Sequence, residues 1–227
     1  MALPTTRSIL DWFRRHGTFV VGIGTTGTMV GIGLAAAAES TPAAALVAAR
    51  EMYGLTALGF LFAAVLIGPL AAVVVRVPPK FRGWLIARRR AVGISAFALV
   101  SCHVLCYLLP VLARSWRDVF KPGVLWCIGL GLGLLAASDL AALAWTSRDG
   151  PVRALGARRW KRLHRTVYLA VPVALSHALI VGSDFGFSHP PDVTVEPDAG
   201  SLIGFSVVCA SWLILFWLRR RGVRARS

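Results

Sequence analysis

The chain has 227 residues, of which 56% are hydrophobic and only 15% are charged, and its formal net charge is +15. Soluble globular domains carry about 25% charged residues, so this composition excludes an ordinary soluble domain. A positive charge spread over a soluble surface would indicate nucleic-acid binding. Here the Lys and Arg residues cluster between long uncharged stretches, so we interpret the chain as a membrane protein that binds no nucleic acid.

Six stretches are long and apolar enough to cross a bilayer as helices, since a span needs about 20 mainly apolar residues to cross about 30 Å of hydrocarbon. The predicted spans are residues 18–38, 54–76, 91–113, 123–146, 166–183 and 202–218. The sequence therefore predicts an all-α membrane protein with a six-helix transmembrane bundle at residues 18–218. A cytoplasmic segment at residues 1–17 precedes this bundle, and a basic cytoplasmic tail at 219–227 follows it.

The distribution of basic residues predicts the orientation of these spans, because Lys and Arg favour cytoplasmic loops. With a cytoplasmic N-terminus, the inside segments hold 21 of the 25 Lys and Arg residues. The outside loop at residues 184–200 then contains four acidic residues and no Lys or Arg. We therefore expect both termini in the cytoplasm, with basic loops that also attract the anionic lipids of the bilayer.

Three of the five histidines lie within or at the edge of a predicted span, where ionisable side chains are costly and usually mark a functional site. His103 lies in the middle of the third span, and His177 lies well inside the fifth. His164 stands at the cytoplasmic mouth of the fifth span. We interpret His16, at the start of the first span, and His189, in the last outside loop, as solvated residues.

The depths of His103 and His177 predict that the two imidazoles lie at one level in the bilayer. His103 lies 13 residues beyond Arg90, and His177 lies 12 residues beyond Arg165. On an α-helix these spacings correspond to about 20 Å and about 18 Å. Two neutral imidazoles that face each other are a natural axial pair for the iron of a b-type haem. Alternatively, each histidine hydrogen-bonds a neighbouring helix through Ser or Thr, and the spacing alone does not decide between the two.

His164 is harder to interpret. It precedes His177 by 13 residues, so one continuous helix would place it about 20 Å lower, a separation that suits two haems stacked across a membrane. The same spacing leaves the two side chains roughly 140° apart around an ideal helix, and Pro172 between them would break the regular winding. The third span has no histidine at the matching level, which leaves His16 as a speculative partner for His164.

Two other kinds of residue within the predicted spans bear on function. Asp139, in the fourth span, either pairs with a basic group, conducts protons or reaches the membrane interface. The four cysteines form neither a C-x-x-C pair nor the C-x-x-C-H pattern of covalent haem attachment. We interpret them as packing residues, so any haem is held non-covalently; they are Cys102, Cys106, Cys127 and Cys209.

Four passages of the sequence form a recognisable pattern over about residues 50–180. They are Leu55–Leu61 with Gly68-Pro69-Leu70; Arg89–Ile94 with Cys102–Leu105 and Tyr107-Leu108; Lys121-Pro122 with Gly129; and Thr146-Ser147, Leu155-Gly156 and Arg159–Leu169, ending at His177. The last passage is the most specific. Together they resemble the ferric-reductase-like transmembrane family, and within it the haem-binding subunits of protein-methionine-sulfoxide reductase systems.

This resemblance implies a cofactor and a set of ligands. By position, His103, His164 and His177 match the haem-ligand histidines of the family. The resemblance therefore implies one or two groups of haem b, with His103 and His177 as axial ligands of the iron and His164 as a further ligand. It also implies FMN as a candidate cofactor.

The resemblance further implies a place in an electron-transfer system of the bacterial inner membrane. Electrons would flow from a cytoplasmic flavin reductase or the quinone pool to a periplasmic molybdopterin methionine sulfoxide reductase. Nine residues follow the sixth predicted span, so we expect no FAD or NADPH domain in this chain. No substrate-converting site is evident in the sequence, and whether the chain is itself an enzyme stays open at this point.

Two departures from the family pattern concern the partner more than the haem. The segment Gly68-Pro69-Leu70-Ala71 lacks the usual Thr before Pro and Arg after Leu, and the outside loop after His177 is longer than usual. Two other functions therefore stay open at this point. One is a different membrane cytochrome of the same fold that serves ferric iron or a quinone, and the other is a cofactor-free multi-span transporter.

Overall fold

The computed structural model describes residues 6–73, 79–115, 117, 123–182 and 199–224. Within these ranges the chain forms seven α-helices and no β-strand. The helices are α1 (Thr6–Ala37), α2 (Pro42–Val73), α3 (Pro79–Arg114), α4 (Val124–Trp145), α5 (Asp149–Leu163), α6 (Val167–Val181) and α7 (Ala199–Arg224). The chain divides into two compact units, Met1–His103 and Val104–Ser227. His189 and most of the predicted outside loop lie outside the described residues, as does Lys121-Pro122.

Each predicted span overlaps a helix over its described residues, and at least four of these helices are suited to cross a membrane. The segments that are long and apolar enough are His16–Ala37, Pro42–Gly68, Gly83–Ala113 and Val124–Trp145. Helices α5 and α6 together form a fifth candidate that is bent by 52°, and α7 contains a shorter apolar stretch, Phe205–Ile214. The prediction of an all-α, multi-span membrane protein is confirmed with four to five spans. The sixth span and the cytoplasmic location of both termini stay predictions.

The exposed and buried residues have the distribution expected of helices in lipid. Large apolar side chains face outward, with Leu55, Leu134 and Leu169 each about two-thirds or more exposed. The buried positions include many small residues, such as Ala57 on α2 and Ala136 on α4. Small residues allow helix backbones to approach closely, which is how membrane helices gain packing energy where burial of apolar surface from water is absent.

The segment between the fourth and fifth predicted spans is helical, whereas the sequence predicts a cytoplasmic loop there. Helix α5 has Pro151 near its start, where the missing N–H is tolerated, and Asp149 in its first turn and Arg162 in its last turn complement the helix dipole. It was missed because it is polar and has no apolar run. Gly156 interrupts it with φ of 70°, a left-handed conformation that favours glycine.

In the first unit, polar contacts join α1, α2 and α3. The hydroxyl of Tyr53 on α2 donates a hydrogen bond of 2.9 Å to the carbonyl of Met29 on α1. The Nε of Arg89 on α3 donates a bond of 2.9 Å to the carbonyl of Ala64 on α2. A buried hydrogen bond of 2.7 Å also joins the hydroxyls of Thr25 and Ser95. These bonds fix how α3 lies along α2, and therefore which residues of α2 face His103.

In the second unit, α4 packs along α6. Gly129 of α4 is buried, and a Cβ there would collide with Ile180 and Val181 of α6. Glycine therefore lets the two backbones approach closely at this point. At the other end of α4, the indole N–H of Trp160 donates a bond of 3.0 Å to the carbonyl of Thr146. The close approach at Gly129 thus places α6, and His177 on it, against α4, while the indole contact holds α5 to the end of α4.

The predicted topology is testable with reporter fusions. The inside excess of basic residues leads us to expect that a periplasm-active reporter fused after Gly186 is active. The same reporter fused after Gly150 should be silent, with both fusions present in equal amount by immunoblot. The reverse pattern would contradict the proposed direction of electron flow.

Candidate functional site

His103 lies on α3 with its imidazole against the surface of α2. Its Nδ1 atom is 2.8 Å from the carbonyl oxygen of Arg50. That carbonyl lies one helical turn before Gly54, and a Cβ added at Gly54 would stand only 2.8 Å from Nδ1 and 3.0 Å from Cε1 of the ring. The imidazole therefore occupies space that any larger residue at position 54 would fill. We call this arrangement of the Gly54 surface and the Arg50 carbonyl the α2 notch.

His177 on α6 is held on α4 in the same way. Its Nδ1 atom is 2.8 Å from the carbonyl oxygen of Gly129. Gly133 follows one turn later, and a Cβ there would stand 2.6 Å from Nδ1 and 2.7 Å from Cε1. We call the Gly133 surface and the Gly129 carbonyl the α4 notch. In both notches the carbonyl acceptor precedes the glycine by four residues, so the two histidines have equivalent local environments.

These hydrogen bonds fix the protonation of the two imidazoles. A carbonyl oxygen only accepts hydrogen bonds, so Nδ1 of each ring carries the proton. In the neutral ring the lone pair is then on Nε2, and neutral imidazole is the form that binds metals. Metal-ligating histidines typically donate their other N–H to a carboxylate, a backbone carbonyl or water. The predicted alternative, hydrogen bonds through Ser or Thr, does not describe these two Nδ1 contacts.

His164 has a different environment. Its Nε2 atom is 3.3 Å from the hydroxyl oxygen of Thr146, and that hydroxyl lies 2.7 Å from the carbonyl of Ala142, to which it donates its one proton. Nε2 of His164 is therefore the donor towards Thr146, so in the neutral ring the lone pair would be on Nδ1. The ring also stacks on Trp160, with ring centroids 4.1 Å apart. His164 thus joins the turn before α6 to the end of α4.

Two predictions about helical depth need correction. His164 lies in the turn at residues 164–166, before α6 begins at Val167. The prediction that it shares one helix with His177, about 20 Å lower, is wrong because the chain turns there. For the same reason the helical rise to His177 starts at Val167 and is about 15 Å. The rise of about 20 Å from Arg90 to His103 is confirmed, since those residues belong to one unbroken helix.

Asp139 hydrogen-bonds to a hydroxyl. Its Oδ1 atom is 2.6 Å from the hydroxyl oxygen of Thr166, in the turn before α6. Its Oδ2 atom is buried and has no hydrogen-bond partner among the described residues. The contact joins α4 to the start of α6, so a structural role explains Asp139 at least as well as proton conduction.

Replacement of Thr166 tests this structural role. In Thr166→Val the Oδ1 atom of Asp139 loses the hydroxyl that donates to it, and leaving a buried acceptor unsatisfied costs about 1–3 kcal/mol. We expect a lower thermal unfolding midpoint of the detergent-solubilised protein. The control is Thr26→Val, which removes an exposed hydroxyl bonded within its own helix. Equal midpoints for the two variants would show that the contact with Asp139 contributes no stability.

The histidines are predictable from the sequence, but the two notches are not. The signal was a glycine opposite each histidine, within the run Gly129-Leu130-Gly131-Leu132-Gly133 on α4 and at Gly54 on α2. Sequence alone does not distinguish these glycines from Gly59 or Gly131, which have no atom within 4 Å of an added Cβ. Only the packing of α3 on α2 and of α6 on α4 shows which glycines face an imidazole.

Fold and site together define a class, a multi-pass helical membrane protein with histidines held within its spanning helices. A family model described as ferric reductase like transmembrane component matches residues 53–175, which is more than half of the chain. The chain therefore belongs to this family, as the resemblance predicted. The matched region contains both notch glycines, His103 and His164, and it ends two residues before His177.

Curated relatives narrow the comparison within the family. The chain is 39% identical over 110 residues to a protein of Caulobacter vibrioides, covering 48% of this chain and 50% of the relative. It is 33% identical over 134 residues to one of Azospira oryzae, covering 56% and 51%. It is 35% identical over 106 residues to one of Rhodospirillum rubrum, covering 44% and 48%. Each relative is named protein-methionine-sulfoxide reductase heme-binding subunit MsrQ, and the chain spans about half the length of these relatives.

Proposed function

We propose that this chain is a membrane electron-transfer subunit that binds haem b through the Nε2 atoms of His103 and His177. The observation that carries the proposal is the pair of Nδ1 hydrogen bonds, which leave each ring in the tautomer that binds iron. Two findings support the proposal further. The chain matches the family model, and the curated relatives are named as heme-binding subunits.

The residues present fit a haem. Imidazole nitrogen is an established axial ligand of haem iron, and the lipid-facing helices around the two histidines supply an apolar environment. Bound haem would supply a one-electron carrier. The chain would hold two imidazoles in fixed orientations, keep their Nδ1 protons in place through main-chain carbonyls, and exclude water from the ligands with apolar side chains.

We further propose that both histidines bind one iron, as the sequence resemblance implies. His164 is proposed as a ligand of a second haem, again from the resemblance. In the described geometry its lone pair is on Nδ1, so it would bind iron through that atom or after release of Thr146. FMN is a candidate second cofactor on the same basis.

The partners are proposed from the resemblance and from the names of the relatives. We propose that electrons enter from a cytoplasmic flavin reductase or the quinone pool and leave to a periplasmic molybdopterin methionine sulfoxide reductase across the bacterial inner membrane. The chain would carry electrons and convert no substrate of its own. The basic cytoplasmic segments would also attract anionic lipids of that membrane.

Anaerobic absorption spectroscopy of the protein in lipid nanodiscs tests this function. We expect haem bands that shift on reduction by a quinol, or by NADH with a flavin reductase. They should return to the oxidised form when oxidised methionine sulfoxide reductase is added. If only a ferric chelate reoxidised the haem, a different membrane cytochrome of the same fold would be favoured. If the protein showed no haem bands, a transporter would be favoured.

A further inference from the structure

We infer that two glycines, Gly54 and Gly133, are positioning residues for the proposed haem ligands. This inference rests on the proposed function and extends it from the ligands to the helices behind them. Neither glycine reaches the iron. Each would act by leaving space for an imidazole against a helix backbone.

A side chain at either glycine would collide with the imidazole that lies against it. An alanine Cβ at position 133 would lie 2.6 Å from Nδ1 and 3.1 Å from Cγ of His177. Non-bonded carbon atoms are optimally separated at about 3.5–4.0 Å, so ring and methyl group cannot both keep their places. The main chain of α4 is constrained by its own hydrogen bonds and by packing on α6. The imidazole is a side chain that can rotate, so it is the group that moves.

The collision also affects the hydrogen bond of each imidazole. The carbonyl acceptors, those of Arg50 and Gly129, lie directly beside the glycines, so a ring displaced by a methyl group also moves away from its acceptor. Donation from Nδ1 to a carbonyl fixes the ring orientation and raises the basicity of the ligating nitrogen. Loss of this bond should therefore weaken haem binding and make the ferric form less stable relative to the ferrous form.

The same combination of glycine, carbonyl and imidazole occurs in both notches. The α2 notch belongs to one compact unit of the chain, and the α4 notch involves different helices in the other unit. Both combine a glycine, a carbonyl four residues earlier and an Nδ1 donor. Ala is a better helix former than Gly, so helix propensity alone would favour alanine at both positions. Glycine at these two positions is explained by the imidazoles that lie against them.

The experiment compares four single variants of the full-length protein purified in detergent. Gly54→Ala and Gly133→Ala alter the notches. Gly59→Ala on α2 and Gly131→Ala on α4 make the same chemical change where nothing lies within 4 Å. Haem content, the electron paramagnetic resonance of the oxidised protein and the haem midpoint potential are measured for each, with gel filtration and circular dichroism to report folding.

We expect haem affinity to fall about 10–100-fold in each notch variant, as is typical when an outer-shell partner of a metal ligand is disturbed. Haem that still binds should show an altered low-spin signal and a more positive midpoint potential, because the ligand has lost its hydrogen bond. The two control variants should match the wild type. A purely structural role for the glycines would lower stability without moving the potential of the folded, haem-bound fraction.

The possible outcomes separate failure of the inference from failure of the proposed function. If both notch variants match their controls in haem content, signal and potential, the inference is wrong while the proposed function stands. If the wild type itself binds no haem, the proposed function is wrong. If one notch variant does not fold, the other is judged in the same way against the control on its own helix.

Discussion

Replacement of His103 or His177 by Ala is expected to abolish the low-spin signal of the haem that the two residues are proposed to bind. Two neutral imidazoles give a six-coordinate, low-spin iron, and removal of one leaves the site five-coordinate or empty. The double variant should lose little more than either single variant, because the two ligands act as a unit. Electron paramagnetic resonance of the oxidised protein and the haem-to-protein ratio measure both effects.

A matched substitution separates ligation from packing at the same positions. Asn carries an amide nitrogen close to the position of histidine Nδ1, so His177→Asn can still donate to the Gly129 carbonyl but has no equivalent of Nε2. We expect His177→Asn to fold like the wild type and to lack the low-spin signal, as His177→Ala does. If either variant kept the signal and full haem content, His177 would not be an iron ligand.

The second large effect is expected at His164. If His164 binds a second haem, His164→Ala should lower the haem-to-protein ratio while the low-spin signal of the haem proposed on His103 and His177 persists. The reason is that the three histidines would then serve two separate irons. Quantitative haem extraction beside the electron paramagnetic resonance spectrum measures this.

Thr146→Val is the control for His164, since it removes the hydroxyl that contacts the ring and leaves the imidazole in place. A ligand role predicts that Thr146→Val keeps the haem that His164→Ala loses. Equal haem content in wild type and His164→Ala would instead assign His164 to the contact between the turn before α6 and the end of α4.

The helices and the histidines were predictable because their signals are local. A run of about 20 apolar residues has few alternatives to a membrane helix, and a histidine within such a run is conspicuous because it is costly there. Helices α1 to α4 therefore overlap their predicted spans, although α1, α2 and α3 begin earlier than predicted, and His103 and His177 lie within helices as expected.

The features that were missed depend on contacts between elements. Helix α5 lacks an apolar run, and its polar residues and Gly156 indicated a loop, so only the folded chain shows its helical turns. His164 was assigned to the helix of His177 because hydropathy does not locate a turn of three residues. The roles of Gly54 and Gly133 depend on the packing of α3 on α2 and of α6 on α4. A single sequence does not show which helices pack together.

The central claim is that this membrane protein holds haem b on histidine ligands, and its most direct test is the haem-to-protein stoichiometry of the purified wild type together with its reduced-minus-oxidised absorption spectrum. The account predicts one or two haems per chain and the difference bands of low-spin b-type haem. Purified, folded protein without haem, or with only high-spin haem, would contradict it.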